Sequence, residues 1–385
     1  MNVVLSIEAV RPPLAGIGRY VWELATRLPQ SPEIDSLRFM SDGLWRALPQ
    51  LERGSAQETT LRTDWRHSLG KNPLVSRLYG ALMPRLSAFQ LGRLRDTVYH
   101  GPNFFVPKIS LPTVVTIHDL SAYESNGWHP QTRVDRMRDL IPRALKTATI
   151  VLTDSEAIRT ELLSKFDVNA DKIAAIPLGV DRAYRPHDTS ALNPVLAQYG
   201  LQANSYSLFV STIEPRKNVQ ALLTAYARLP EDLRDLYPLV LTGGVGWNSA
   251  EIHEQMAQAS AQGWLKYLGY VPQQHLPFLY AGARLFAYPS LYEGFGLPIA
   301  EAMASGTPVL TSNCSSMPEV AAGAAILVDP HELDSIECGL LQGLTDEAWR
   351  SQAKQRGLER AAELSWDACV AKTLLAYKMA YSTAN

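Results

Sequence analysis

Residues 289–310, PSLYEGFGLPIAEAMASGTPVL, combine two carboxylates with the start of a helix. Pro298 is typical of a first helical turn, where its missing N–H would have no partner. With the helix dipole, amides at such a start favour a phosphate. The amides that would face outward are those of Phe295, Gly296 and Leu297. These three amides form a predicted phosphate seat. Glu293 and Glu301 flank it, and both carboxylates are expected to bind hydroxyls. A nucleotide sugar offers hydroxyls on both sides of its diphosphate, so the pattern indicates such a ligand.

Two adjacent cations follow a predicted strand in LFVSTIEPRKN, residues 208–218. Arg216 and Lys217 would stand at the carboxyl end of that strand, where open α/β sheets bind their ligands. Two cations there can neutralise a leaving diphosphate. The alternative interpretation is that Arg216 and Lys217 belong to a solvated turn without a ligand. Gly243 follows the predicted strand Leu239–Leu241 in the same way.

Histidine and glycine patterns mark the ends of two earlier strands. His118 follows the run TVVTI and could bind a sugar hydroxyl, or it could be a hydrogen-bonded histidine of the core. Gly16 and Gly18 open a helix after the first strand, and Arg19 could then point at a phosphate. These glycines do not complete the G-x-G-x-x-G fingerprint, which disfavours a dinucleotide-dependent oxidoreductase. A tight turn that needs glycine is the alternative interpretation.

Short β-branched runs alternate with helical stretches, and this order predicts an α/β protein with parallel sheets covered by helices on both faces. The predicted strands are Val3–Ile7, Thr113–Ile117, Ile150–Leu152, Lys172–Ile176, Tyr206–Val210, Leu239–Leu241 and Leu285–Tyr288. The predicted helices are Arg19–Leu28, Gln131–Lys146, Glu156–Phe166, Asn218–Arg228 and Pro298–Ala304. The candidate residues all follow predicted strands and come from both halves of the chain. Two facing sheets would therefore bring them to one cleft.

The polar stretch Asp181–Gln202 interrupts this alternation and predicts a linker between two α/β halves. We expect an N-terminal domain over 1–185, a C-terminal domain over 200–364 and a helix over 365–385. Apolar residues recur at helical spacing through Ser365–Tyr381. This helix either packs on its own domain or returns to brace the first one.

Composition excludes several classes of protein. The 385 residues carry a net charge of −2, which gives no general reason to expect nucleic acid. Three cysteines without CxxC spacing favour a reduced, cytoplasmic compartment. The first residues lack the basic region of a signal peptide, and no apolar run is long enough to span a membrane. No metal-binding pair such as D-x-D is visible, so we expect no metal ion at the site.

A basic segment over residues 61–95 departs from this balance, with seven Lys or Arg residues and a single acid, Asp64. Apolar residues including Trp65 and Leu69 lie among these cations. The segment could contact anionic lipid headgroups as a peripheral membrane surface. An ordinary solvated helix face is the alternative.

The run E-G-F-G-L-P-I-A-E, Glu293 through Glu301, resembles the E-x7-E motif of retaining GT-B glycosyltransferases, specifically glycosyltransferase family 4. The G-T-P-V run at Gly306–Val309, the P-E-V run at Pro318–Val320 and the order of elements over almost the whole chain are similar too. The resemblance implies two facing Rossmann-like domains with the active site in the cleft. It implies further that Glu301 holds the donor ribose and that Glu293 contacts the transferred sugar.

The same resemblance implies which other residues bind donor and acceptor. His118 would contact the donor sugar and act in catalysis with Glu293 and Lys217. Where much of the family has an arginine five residues before the lysine, this sequence has Thr212, and Arg216 would substitute. The expected donor-binding residues are Arg216, Lys217, Gly243, Tyr270, Val271, Glu293, Phe295, Gly296, Leu297 and Glu301. The expected acceptor-side residues are Gly16, Gly18, Arg19, Asn103 and Ser155.

These features predict a metal-independent, retaining hexosyltransferase without a cofactor beyond its nucleotide-sugar donor. The E-P-R-K-N run resembles a variant common in mannosyl- and rhamnosyl-transferring members of the family, and this resemblance implies GDP-mannose or a GDP-linked deoxy-mannose such as rhamnose as the donor. The expected acceptor is a lipid-linked saccharide of an O-antigen-like polysaccharide, bound at the inner face of the cytoplasmic membrane. A UDP-sugar donor with another acceptor, and a non-catalytic subunit of the same fold, are the alternatives.

Overall fold

Two parallel β-sheets, one in each half of the chain, form the framework of the molecule. The computed structural model describes residues 1–11, 14, 16–49, 82–83, 85–124 and 127–384. Most of the basic segment 61–95 lies outside these residues, so its predicted membrane surface is described only in part. Among the described residues, no helix combines the length and apolar character needed to cross a membrane.

The first sheet has seven strands in the order β3-β2-β1-β4-β5-β6-β7. Every neighbouring pair is parallel except β2 and β3, which form an antiparallel edge. The strands are β1 Asn2–Ser6, β2 Ser36–Ser41, β3 Leu44–Arg46, β4 Thr97–Gly101, β5 Thr113–Ile117, β6 Ile150–Thr153 and β7 Ile173–Ala175.

The second sheet has six strands in the order β10-β9-β8-β11-β12-β13, and all its pairs are parallel. The strands are β8 Ser207–Val210, β9 Leu239–Thr242, β10 Leu265–Tyr267, β11 Leu285–Tyr288, β12 Val309–Ser312 and β13 Ala325–Val328. Every residue of β5, β9 and β11 is buried, as expected for parallel strands covered on both faces.

Helices connect the strands and cover both sheets. The bounds are α1 Ile17–Arg27, α2 Gln131–Thr147, α3 Glu156–Lys165, α4 Thr189–Leu196, α5 Val219–Ala227, α6 Glu231–Leu236, α7 Ala250–Ala261, α8 Leu276–Gly282, α9 Leu297–Ala304, α10 Met317–Ala321, α11 Leu333–Thr345, α12 Glu347–Glu363 and α13 Trp366–Ala384. Residues 85–91 are helical as well. The predicted doubly covered α/β fold is confirmed.

Helix α13 follows the second half in sequence and contacts the first half. Buried Tyr377 is hydrogen-bonded through its hydroxyl to His100 Nδ1 at 2.8 Å. The Arg27 guanidinium of α1 contacts the Asp367 carboxylate at 2.6 Å. A Cβ on Gly179 would lie 2.0 Å from the Trp366 amide, so a side chain there could not coexist with the start of α13.

The predicted linker Asp181–Gln202 is wrong over eight of its residues, which form α4. Leu192 and Leu196 of this helix are buried in the core with the second half. A Cβ on Gly282 of α8 would lie 2.8 Å from Leu196 Cδ1, which shows how closely α4 and α8 pack. The helix was not predicted from the sequence because Pro194 and several polar residues interrupt its apolar pattern.

Candidate active site

The carboxylate of Glu293 lies at the centre of a buried cluster of charges and hydroxyls after β11. Its Oε1 accepts hydrogen bonds from Lys217 Nζ at 2.6 Å, Ser290 Oγ at 2.7 Å and Tyr288 OH at 2.9 Å. Its Oε2 accepts from Arg216 Nη1 at 3.2 Å. Only 7% of Glu293 and 7% of Lys217 are exposed. The two cations predicted to neutralise a diphosphate are therefore already paired with the predicted sugar-binding carboxylate.

This pairing determines the charge of Glu293. Burial alone would raise the pKa of the carboxyl, but Lys217 and Arg216 outweigh it and lower the pKa to about 2. Arg216 is held from its other side by Glu214, whose Oε1 accepts from Nη2 at 2.9 Å. The cluster thus brings two basic side chains and two carboxylates together, and burial with the neighbouring Arg216 lowers the pKa of Lys217 from its ordinary value.

The predicted phosphate seat lies at the start of α9. Gly296 precedes the helix with φ of +100°, a conformation that favours glycine, and Pro298 lies in the first turn. Within the described part of the chain, the amides of Phe295, Gly296 and Leu297 donate to no protein acceptor. They are therefore available to an anion beside Lys217 and Arg216.

Glu301 lies one turn into α9, half-buried and near residues of both halves. Burial raises the pKa of Glu301 to about 7, although the neighbouring hydroxyls of Tyr280 and Tyr184 and the Arg19 guanidinium act in the opposite direction. Arg19 belongs to the first half, where its Nη1 lies 3.4 Å from the Glu23 carboxylate and 3.6 Å from that of Asp181. Arg19, predicted to point at a phosphate, is therefore paired with two carboxylates of the first half, and its charge also acts on the Glu301 carboxyl.

Two glycines shape the loop before Arg19. Gly16 has φ of +40°, and a Cβ on Gly18 would lie 2.7 Å from the carbonyl oxygen of Ala9. Both positions therefore require glycine for the turn itself, which is the alternative that the sequence left open. The turn nevertheless starts α1 at the carboxyl end of β1, beside the cleft.

His118 has both ring nitrogens engaged in the first half of the protein. Nδ1 lies 2.7 Å from Asp154 Oδ2, and Nε2 lies 2.8 Å from the carbonyl oxygen of Pro102. Burial alone would lower the pKa of the imidazole, but the Asp154 carboxylate raises it above its ordinary value. Two acceptors around one ring favour the doubly protonated form, so contact with a donor sugar requires one of these bonds to be exchanged.

Two loops of the second half carry further predicted donor-binding residues, Gly243 in one and Tyr270 with Val271 in the other. Gly243 follows β9 with φ of +142°, and a Cβ there would lie 1.8 Å from the carbonyl oxygen of Ser211. Tyr270 is 54% exposed, so its ring is free to stack on a planar ligand, whereas Val271 is buried.

The acceptor-side predictions fall in two different environments. Asn103 lines a cavity of about 360 Å³ in the first half, and its buried Oδ1 has no hydrogen-bond partner among the residues that the structure describes. Ser155 is fully buried; its Oγ donates to the carbonyl oxygen of Gly294 at 2.8 Å and accepts from the Ile158 amide at 3.3 Å. The structure thus places Asn103 in an open pocket and Ser155 at the contact between the two halves.

Several side chains that hold the site together were not predicted from the sequence. Asp154, Glu214, Tyr288 and Ser290 fix the orientation of the predicted residues through the bonds described above. The rule that ligands lie at the carboxyl ends of strands could have found Asp154, because it is the first charged residue after the apolar run of β6. Within the described residues, no three His, Cys, Asp or Glu side chains are grouped as metal ligands.

Two facing parallel-sheet halves with a charged cleft between them define a GT-B fold. The chain belongs to the GT-B glycosyltransferases, because it matches the family Glycosyltransferase Family 4 over residues 14–184 and the family Glycosyl transferases group 1 over residues 198–360. The resemblance inferred from the sequence is thereby confirmed.

Individual relatives agree with this assignment. The chain is 40% identical over 380 residues, 98% of its length, to all of the O-antigen chain mannosyltransferase B of Escherichia coli. It is 33% identical over 270 residues, 68% of its length, to 33% of the serotype-specific mannosyltransferase WbdA of Escherichia coli. The crystal structure of Anabaena HepE in complex with UDP-glucose is similar in fold, with a TM-score of 0.72 and 18% identity over 97% of this chain and 99% of that one.

Proposed function

We propose that this glycosyltransferase moves mannose from GDP-mannose to a lipid-linked saccharide in the synthesis of an O-antigen-like polysaccharide. The observation that supports this most is the 40% identity, over the whole length, to an O-antigen chain mannosyltransferase. We propose further that residues 1–185 bind the acceptor, that 200–364 bind the nucleotide sugar, and that 365–385 brace the first domain. Rhamnose, which the sequence allowed equally, is less well supported by the relatives.

The charge cluster supports a transfer that retains the anomeric configuration without a metal. Lys217, Arg216 and the amides at the start of α9 would stabilise the negative charge that develops on the leaving diphosphate. Glu293 would face the sugar, where positive charge develops as the bond to phosphate breaks. The acceptor hydroxyl would attack the same face, and the departing phosphate oxygen would take its proton.

The cavity beside Asn103 supports an acceptor site in the first domain. Glu8, Arg11, Arg133 and Arg136 line it together with Asn103. A carboxylate and an unpartnered amide oxygen can accept hydrogen bonds from sugar hydroxyls, and the guanidinium groups can bind a phosphate. This combination suits a saccharide that carries a lipid diphosphate.

Transfer from GDP-mannose tests the proposed function. Purified protein with sugar-labelled GDP-mannose and a synthetic lipid-linked saccharide should give a mannosylated lipid of retained configuration by NMR. The rate should be unchanged in excess EDTA, because the cations and helix amides replace a metal. Parallel titrations with GDP, UDP and ADP should show the tightest binding for GDP. Tighter binding of UDP would identify a UDP-sugar enzyme, no binding would indicate a non-catalytic subunit, and loss of activity in EDTA would reveal a metal site.

We also propose that the enzyme acts at the cytoplasmic membrane surface through residues 61–95. In the described part, Phe89 is 57% exposed and the Arg93 guanidinium lies 4.2 Å from the centre of its ring. Each cation near an anionic leaflet gains about 1 kcal/mol. Reversing the charge of Arg93 and Arg95 should therefore release the protein from anionic vesicles in flotation at low salt. Reversing the exposed Lys354 and Arg356 on α12 is the matched control. If the wild-type protein does not bind such vesicles, the segment is an ordinary solvated surface.

A further inference from the structure

The second half of the protein caps a helix of the first half across the cleft. Glu319 of α10 accepts two hydrogen bonds from the start of α3, with Oε1 2.9 Å from the Glu156 amide and Oε2 2.9 Å from the Ala157 amide. These amides are among the first four of α3, which have no acceptor within their own helix. A carboxylate is favoured there by the helix dipole as well.

Glu319 is connected to the donor-binding loop within its own half. Ser315 Oγ and Ser316 Oγ, just before α10, donate to the carbonyl oxygen of Glu293 at 2.6 Å and 2.9 Å. Ser316 Oγ also lies 2.9 Å from the carbonyl oxygen of Phe295. A displacement of α10 would therefore displace the loop that carries Glu293 and the phosphate seat.

The loop makes its own contacts with the first half beside Glu319. Gly294 accepts a hydrogen bond from Ser155 and approaches His118 so closely that a Cβ on it would lie 1.9 Å from the His118 carbonyl oxygen. Tyr292 OH donates to Glu161 Oε2 at 2.7 Å and accepts from the Leu120 amide at 3.0 Å. This side of the interface therefore combines directional polar bonds with a small apolar cluster of Trp128, Ile158, Leu291 and Tyr292. The bracing by α13 buries further apolar side chains, such as Leu374 and Ala380.

We propose that Glu319 is a positioning residue for the transfer reaction. By capping α3, it fastens the donor-binding loop to the acceptor domain when the two halves close. It contacts neither donor nor acceptor, and it acts through the loop that holds Glu293. The proposal rests on the proposed function, because it assigns a role in that reaction.

The expected effects on Kd and kcat distinguish closure of the two halves from binding of the donor. The donor site lies in the second half, so Glu319→Gln should leave the Kd for GDP within twofold of wild type. Closure brings Glu293 to the acceptor, so kcat for transfer from GDP-mannose to the lipid-linked saccharide should fall about tenfold. The exposed Glu359, which is hydrogen-bonded to Gln355 on α12 of the same half, gives a matched control as Glu359→Gln.

The helix side of the contact offers a second pair of variants. Glu156→Pro removes one of the two donating amides, and proline suits this first helical position because Ser155 before it is extended, with φ of −150° and ψ of 158°. Glu156→Ala removes the same exposed side chain but keeps the amide. The proline variant should reproduce the loss of kcat and the alanine variant should not. Combining Glu156→Pro with Glu319→Gln should cost less than the product of the two single losses.

Hydrogen exchange gives a readout that does not depend on activity. In the wild type with GDP, the amides of Glu156 and Ala157 should be protected, and in Glu319→Gln they should exchange at least tenfold faster. Unchanged exchange and unchanged kcat would overturn the proposal. Equal losses in GDP affinity and kcat would overturn it too, because Glu319 would then act within the donor site. If the wild type transfers no mannose, the proposed function fails, while the exchange data still decide whether Glu319 caps α3.

Discussion

Replacing Glu293 by glutamine should lower kcat for mannose transfer at least a hundredfold, while donor affinity changes much less. The carboxylate is ionised because Lys217 and Arg216 surround it, and glutamine keeps its shape but not its charge. The developing positive charge of the sugar would lose its neighbouring anion, and a hundredfold corresponds to about 2.7 kcal/mol of transition-state stabilisation. Steady-state rates with GDP-mannose and calorimetric titration with GDP measure the two effects.

The same substitution also tests how far the cluster stabilises the fold. Removing one member of a buried ion pair leaves an uncompensated charge and costs about 3–5 kcal/mol. The free energy of unfolding in urea should therefore fall in Glu293→Gln but not in Glu254→Gln, which alters an exposed glutamate of α7. A folded Glu293→Gln protein with wild-type kcat would remove Glu293 from the catalytic site.

Replacing Glu301 by alanine should weaken GDP binding by at least about a hundredfold, because two hydrogen bonds from ribose hydroxyls to a carboxylate are worth about 1.5–3 kcal/mol each. Wild-type affinity should also depend on pH. The pKa of Glu301 is raised to about 7, so below that pH the carboxyl is protonated and accepts hydroxyl donors less well. GDP affinity should therefore be highest above pH 7 and fall as the pH decreases through 7.

The variant supplies the control for this pH dependence. The phosphates of GDP titrate in both proteins, so the difference between wild type and Glu301→Ala isolates the carboxyl group. Calorimetry between pH 5.5 and 8.5 would measure it, and alanine keeps α9 intact because it is a good helix former. Identical pH profiles in the two proteins would show that Glu301 does not bind the ribose.

The sequence predicts the fold best where strands are buried on both faces. The strands β5 and β11 were predicted with their observed bounds, because continuous apolar runs are typical of the centre of a parallel sheet. Strands β2 and β3 were missed because they form an exposed edge with a mixed pattern. Strand β4 was missed because His100 and Thr97 interrupt it, although both are buried and hydrogen-bonded.

The sequence predicted which residues belong to the site but not how they pair with one another. Motif spacing identified Glu293, Lys217 and Arg216 as chemical groups, yet nothing local indicated that they pair with one another. Lys217 and Glu293 are 76 positions apart, and Glu319 and Glu156 are 163 apart. Such contacts depend on how β8, β11 and the two halves are placed in space, which periodicity does not encode.

The return of α13 to the first half has a consequence for the order in which the molecule is made. The sheet of residues 1–185 is completed by a helix that the ribosome adds only after the whole second half. Until then, Thr116 and His100 lack the covering layer to which Tyr377 belongs. The second half can complete its own core before α13 is synthesised. We therefore expect it to fold while the surface of the first half that α13 covers is still exposed. Chaperone binding to nascent chains should therefore persist until residues 366–384 emerge.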